Sequence, residues 1–252
     1  MSGHSKWSQI KRQKGVSDVK RGLVFTKIAN AITIAVKQGG GIGDPEQNFR
    51  LRLTIEKAKS ANMPKENVQR AIEKGQGKGG KGDFYEVVYE GFGPGGVVFI
   101  VEAATDNKLR TTSEIKNFFE KNNVNLATPG AVSYQFQIKG LINVKKEGKT
   151  VDEVFLIAAD AGAEDVEDAG NEVLVYTKPE ELAKIKDDLI KNGLSVESFE
   201  LTKNPITTVE VNNKEIAAKI LSFIEKVEGM DDVQKVYSNF DIPEDIMFQI
   251  NL

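Results

Sequence analysis

Residues 141–201 read LINVKKEGKTVDEVFLIAADAGAEDVEDAGNEVLVYTKPEELAKIKDDLIKNGLSVESFEL, and their succession of patterns decides the fold. Leu141–Val144 is a short apolar run of strand type, and Val151–Asp160 reads as a helix. Ala163–Glu167 and Glu172–Tyr176 read as two strands. Pro179–Lys191 is a second helical stretch and Val196–Leu201 a last strand. The order β-α-β-β-α-β is that of a ferredoxin-like module, complete in itself.

On the C-terminal side, Thr207–Val211 and Val233–Phe240 read as strands and Lys214–Glu228 as a helix, with too few strands for a sheet of their own. Strands they could pair with precede the module. Tyr85–Glu90 and Val97–Ala103 flank the hairpin signal Gly91–Gly96, Lys108–Asn122 is helical, and Val132–Phe136 is a further strand. Residues 83–137 with 206–252 are therefore expected to form one discontinuous α+β domain, with 138–205 inserted into it.

Gly75–Gly82 (GQGKGGKG) has five glycines in eight residues and reads as a linker. Before it, the spacing predicts a bundle of three helices. The first starts near Ser17-Asp18, carries Phe25, Ile28, Ile32 and Ala35 on one face, and stops at Gly39-Gly40-Gly41. The second is expected to open at Asp44-Pro45 with Gln47 as a capping-box partner. The third follows Pro64 and stops at Gly75. Phe25, Phe49, Phe118 and Phe119 read as core. The fold class is α+β: residues 1–82 form an N-terminal helical bundle with its arm and linker, followed by two α+β domains, the last one ferredoxin-like and inserted into the middle one.

Charge is segregated along the chain. Residues 1–82 hold 17 Lys and Arg against 6 Asp and Glu, a balance of +11. Residues 83–252 hold 17 against 31, a balance of −14. The first 27 residues are the most basic stretch, with Lys6, Lys11, Arg12, Lys14, Lys20, Arg21 and Lys27 against the single acid Asp18. An arm so poor in apolar residues cannot offset its chain entropy by burial, and its cations suit the phosphates of a polyanion. Trp7 either anchors the arm on a core or stacks on a base. The eight residues Lys6, Trp7, Lys11, Arg12, Lys14, Lys20, Arg21 and Lys27 are the candidate nucleic-acid-binding set.

Enzymatic chemistry finds no support. GxGxxG matches occur at Gly75-Gly77-Gly80 and Gly91-Gly93-Gly96, but neither lies between a strand and a helix as a dinucleotide site needs. His4 is the only histidine and has no acid near it in sequence to orient it as a base or to build a zinc site. The acidic run Asp160–Asp168 fails the calcium-loop pattern, with Ala169 and Tyr176 where ligands are required. No catalytic residue, metal or cofactor is expected. The absence of cysteine fits a reducing cytoplasm, no apolar run reaches membrane-spanning length, and the N-terminus has no apolar core of a secretory signal.

Several blocks carry a resemblance: Gly3-His4-Ser5-Lys6-Trp7, Lys20-Arg21-Gly22, Phe25-Thr26-Lys27, Asn62-Met63-Pro64-Lys65, Tyr89-Glu90-Gly91 with Gly93-Pro94-Gly95-Gly96, and Thr105-Asp106-Asn107. Together they resemble the signature of the YebC/PmpR family over the whole chain. That family includes bacterial proteins called probable transcriptional regulators and the mitochondrial translational activator of cytochrome oxidase. The resemblance implies three domains, the first helical and the other two α+β, and a cytoplasmic role in gene expression. DNA binding is proposed for some members and ribosome-linked translation activity for others.

Two functions follow as expectations. One is a regulator that binds DNA through the basic N-terminal region. The alternative is a ribosome-associated translation factor contacting ribosomal or transfer RNA. Gln38–Asp44 is too long and glycine-rich for the turn of a helix-turn-helix, and the lysine-rich arm suits phosphate better than base edges. The acidic half could also hold a basic protein surface.

Overall fold

The computed structural model describes residues 18–78 and 84–250, and side chains from Gly22 onward. The chain divides into two compact units, one of them residues 16–133 with 218–238, the other including 134–217 and 239–252. In the first unit, α1 (Asp18–Gln38), α2 (Phe49–Ser60) and α3 (Lys65–Gly75) precede β1 (Tyr85–Phe92), β2 (Val98–Thr105), α4 (Lys108–Lys121) and β3 (Asn125–Ala127). The second contains β4 (Phe136–Lys145), α5 (Val151–Ala161), β5 (Asp165–Ala169), β6 (Glu172–Thr177), α6 (Leu182–Lys191), β7 (Ser195–Pro205) and β8 (Val209–Glu210). Then α7 (Lys214–Glu228) leads back to β9 (Val233–Ser238) in the first unit, and β10 (Phe240–Asp241) and α8 (Glu244–Gln249) return to the second.

The bundle forms because its apolar residues recur on helical faces. Ile28, Ile32, Ala35 and Val36 of α1 meet Leu51 and Ala58 of α2 and Ala71 and Ile72 of α3 in one buried cluster. Gly40 and Gly41 close α1 in left-handed backbone, φ 68° and 85°, which costs glycine little. Here the expected start of the second helix is corrected. Asp44-Pro45 opens a turn, in which the Asp44 carboxylate accepts from Glu46 N (3.0 Å) and Gln47 Nε2 (3.0 Å). The cap is Asn48, whose Oδ1 accepts from Leu51 N (3.0 Å) while its Nδ2 donates to Ala35 O (2.9 Å). One buried amide thus joins the end of α1 to the start of α2. Phe49 is corrected as well: it is 39% exposed, with the Arg52 guanidinium 5.6 Å from its ring centre.

The bundle's unit also holds an antiparallel sheet in the order β3-β1-β2-β9. Its core includes Phe223 against Phe99 (4.6 Å between ring centres), Phe118 (5.3 Å) and Phe119 (5.4 Å). Bundle and sheet share the buried trio Ile34, Phe84 and Ala104. Lys37 Nζ donates to Phe84 O (3.0 Å), and Arg50 pairs with Glu86 (3.0 Å). Glu90, 4% exposed, accepts from the N–H groups of Gly130 (2.8 Å), Val132 (2.6 Å) and Ser133 (3.1 Å). These contacts bear on the proposed division of the chain at 82. Proteolysis within Gly75–Gly82 is expected to leave the two pieces associated on native gel filtration and to separate them only in denaturant. Separation without denaturant would make the bundle an independent body.

The second unit carries an antiparallel sheet in the order β5-β6-β4-β7, the ferredoxin-like arrangement. Ile142 and Val144 of β4 lie opposite Val175 and Val173 of β6 on one face, all fully buried. Val154, Ala158, Leu182, Ile185 and Leu189 supply the buried side of α5 and α6. The acidic stretch Asp160–Asp168 spans the end of α5, the turn after it and most of β5, with Asp168 paired to Lys146 Nζ (2.7 Å). Two strand expectations are corrected. Val132–Phe136 is not a strand: Ser133–Gln135 is a 3-10 turn and Phe136 begins β4. The Thr207–Val211 strand does not join an earlier one. It pairs in parallel with Phe240–Asp241.

Candidate nucleic-acid interface

Five of the eight candidate residues, Lys6, Trp7, Lys11, Arg12 and Lys14, lie outside the described residues. Lys20 and Arg21 fall in the first turns of α1. Lys27 is half-buried and its ammonium donates to Glu228 O (2.6 Å) at the end of α7, a favourable place for a cation. A phosphate at Lys27 would compete with that bond.

Further cations gather on the bundle. Lys57 and Lys59 end α2, Lys65 begins α3, and Arg70 and Lys74 follow on α3. The link between α2 and α3 is the four residues Ala61–Pro64, with Asn62 left-handed at φ 55° and Met63 buried. A helix-turn-helix spacing therefore exists at this second link, whereas ten residues, 39–48, separate α1 from α2. The exposed side of α3 is of mixed sign. Lys65, Glu66, Gln69, Arg70 and Glu73 line a shallow depression there. Arg70 pairs loosely with Glu66 (3.4 Å), and Gln69 Nε2 donates to Glu73 (2.9 Å).

On the other flank of α3 a groove of about 290 Å³ runs against α1. Phe25, Asn30, Asn67, Arg70 and Lys74 are among its lining residues. Lys74 Nζ sits 4.2 Å from the Phe84 ring centre. Arg70 and Lys74 belong to the basic block of residues 1–82, whereas nothing in the sequence singles out Asn67, and Asn30 is marked only by interrupting, with Lys27, the mostly apolar stretch 23–36.

The blocks that carried the resemblance do structural work where they are described. Tyr89 Oη lies 2.9 Å from Thr112 Oγ1, and Glu90 holds the 130–133 loop. Gly95 and Gly96 turn the hairpin at φ 74° and 81°. Thr105 Oγ1 accepts from Asn107 N (2.9 Å) and lies 2.8 Å from Thr111 Oγ1, and Asn107 caps α4 by accepting from Arg110 N (3.1 Å). Asp232 gathers the same corner, accepting from Thr111 Oγ1 (2.6 Å) and Arg110 Nη2 (2.9 Å). Burial pushes the Asp232 carboxyl up, but the Thr111 and Arg110 bonds outweigh it and hold the carboxyl below its ordinary range.

Fold and site define an α+β protein whose basic helical bundle packs on one antiparallel sheet, with a ferredoxin-like module lying within the chain of that sheet. Residues 5–78 match the family model "TACO1/YebC protein N-terminal domain", and residues 84–240 match "TACO1/YebC second and third domain". The chain belongs to the TACO1/YebC family. It is 50% identical over 248 residues to a "Probable transcriptional regulatory protein" of Sulfurihydrogenibium sp., covering 98% of each chain. A protein of the same name from Persephonella marina is 48% identical over 252 residues, the full length of both. The crystal structure of a conserved hypothetical protein from Aquifex aeolicus, 44% identical, superposes with a TM-score of 0.83 over 90% of this chain and 92% of that one. No helix of the described residues is long and apolar enough to cross a membrane.

Proposed function

We propose that this chain is a non-enzymatic regulator of gene expression, working in the cytoplasm and binding nucleic acid through its basic N-terminal part, with looped or single-stranded RNA as the favoured ligand. The observation that supports it most is the opposite charge of the two blocks, +11 over residues 1–82 and −14 over 83–252. A polyanion is drawn to the first and repelled by the second, which orients it on the molecule. RNA is favoured by the mixed face of α3. A helix laid in a duplex major groove would bring Glu66 and Glu73 between two rows of phosphates. Unpaired RNA has no such constraint, and ribosomal or transfer RNA would make the protein a translation factor. The names of the relatives and the four-residue link Ala61–Pro64 favour the second reading, a transcriptional regulator on duplex DNA.

The test is a salt titration of wild type and the double reversal Lys11→Glu with Arg12→Glu. If both side chains contact phosphate, the slope of log affinity against log salt flattens by about 0.9 per lost contact on duplex DNA, or about 0.7 on single strands. Affinity falls on all sequences alike, because phosphate contacts carry no sequence information. An unchanged slope removes the arm from the interface. Cross-linking in cells with recovery of both RNA and DNA separates the two ligands.

A further inference from the structure

We propose that the groove between α1 and α3 is a subsite for one unstacked nucleobase of looped or single-stranded RNA. The proposal deepens the nucleic-acid reading above and rests on it. At about 290 Å³ and open to solvent, the groove has room for one small planar group. Asn30 and Asn67 line it, are half-buried, and make no side-chain hydrogen bond among the described residues. Each amide offers two donors and an acceptor, the complement of a base edge. Both amides face an open groove and are reached by water, so a ligand can take over their hydrogen bonds without first breaking a protein contact.

The surroundings name the rest of the ligand. Phe25, packed against the bundle core, adds an aromatic ring to the lining of the same groove. Arg70 and Lys74 lie at its edge as partners for the phosphate on either side of the base. The Arg70 side chain is 71% exposed and its one ion pair among the described residues, with Glu66, is long at 3.4 Å, so its guanidinium can turn to an incoming phosphate. A base stacked in a duplex presents only its edge and cannot enter a concavity between two helices, whereas a splayed base can.

The experiment uses the full-length protein and three RNA probes: a hairpin with an unpaired loop, the same hairpin with an abasic loop, and the fully paired stem duplex. Wild type is expected to bind the looped hairpin more tightly than the abasic one. Asn30→Ala with Asn67→Ala should weaken binding to the looped hairpin by about ten- to a hundred-fold, bringing it to the abasic level. The same variant should leave the abasic and duplex affinities and the salt slope unchanged. Asn67→Leu, of nearly the same size and charge but without the amide's hydrogen-bonding groups, should also lose loop affinity while leaving abasic and duplex binding unchanged, and provides a second variant if the double alanine protein unfolds. Equal wild-type affinity for looped and abasic hairpins, or equal weakening on all three probes, overturns the subsite and leaves nucleic-acid binding standing. Wild type binding none of the three overturns both.

Discussion

Replacing Glu90 by alanine is expected to destabilise the unit containing the bundle by roughly 3–5 kcal/mol, because three backbone N–H groups lose their acceptor in a buried place. Glu90 is 4% exposed, so water cannot replace the carboxylate without opening the loop from Gly130 to Ser133. Glu90→Gln keeps the shape and one carbonyl oxygen but turns an amide NH₂ toward backbone donors, so it should fall between wild type and alanine. The carboxyl also sets an acid limit. Burial pushes its pKa up, yet the bonds from Val132, Gly130 and Ser133 together hold it below the ordinary carboxylate value. A folded pKa below the unfolded one, about 4.3, means the stabilisation is fully present above that value. It is lost as pH falls from there through the folded pKa. Denaturant unfolding of wild type and Glu90→Gln at neutral and acid pH checks both points. A Gln variant with the same acid sensitivity as wild type would move the limit elsewhere, with Asp232 the next carboxylate to test.

The second large effect is expected at Gly75, where two principles give opposite signs. Glycine at the end of α3 is a poorer helix former than alanine by up to about 1 kcal/mol, so propensity alone favours Gly75→Ala. Packing opposes it: a Cβ there would lie 2.7 Å from Val36 Cβ and 2.8 Å from Thr33 O. Backbone oxygen in the middle of α1 cannot move aside as a side-chain tip can. Overpacking of this kind costs about 1–3 kcal/mol, so the net result is a loss. It should come with widening of the α1–α3 approach, and hence weaker binding at any site that depends on that groove. Thermal unfolding gives the sign directly. A higher melting temperature for Gly75→Ala would show that the two helices are not held this closely.

Much of the fold was legible in the sequence wherever the cause is local. The βαββαβ succession in 141–201 follows from strand and helix periodicity, and the stops at Gly39–Gly41 and Gly75 from glycine's backbone freedom. The charge imbalance on either side of residue 82 needs no structure at all. Where two local devices share a composition, the sequence misled: Asp44-Pro45 serves equally as a helix start or a turn. The bond from Asn48 to Ala35 O, thirteen residues away, settled it. Pairing across distance was equally out of reach. Val209–Glu210 found Phe240–Asp241, and the three residues of β3 found β1, because a strand's partner is set by backbone hydrogen bonds between remote segments. The candidate site divides the same way. Composition alone marked the basic half as a surface for polyanions, through long-range charge that is indifferent to fold. Only the packing of α3 on α1 brought Asn30 and Asn67, 37 positions apart, into one groove, since side chains share a concavity only when their helices meet.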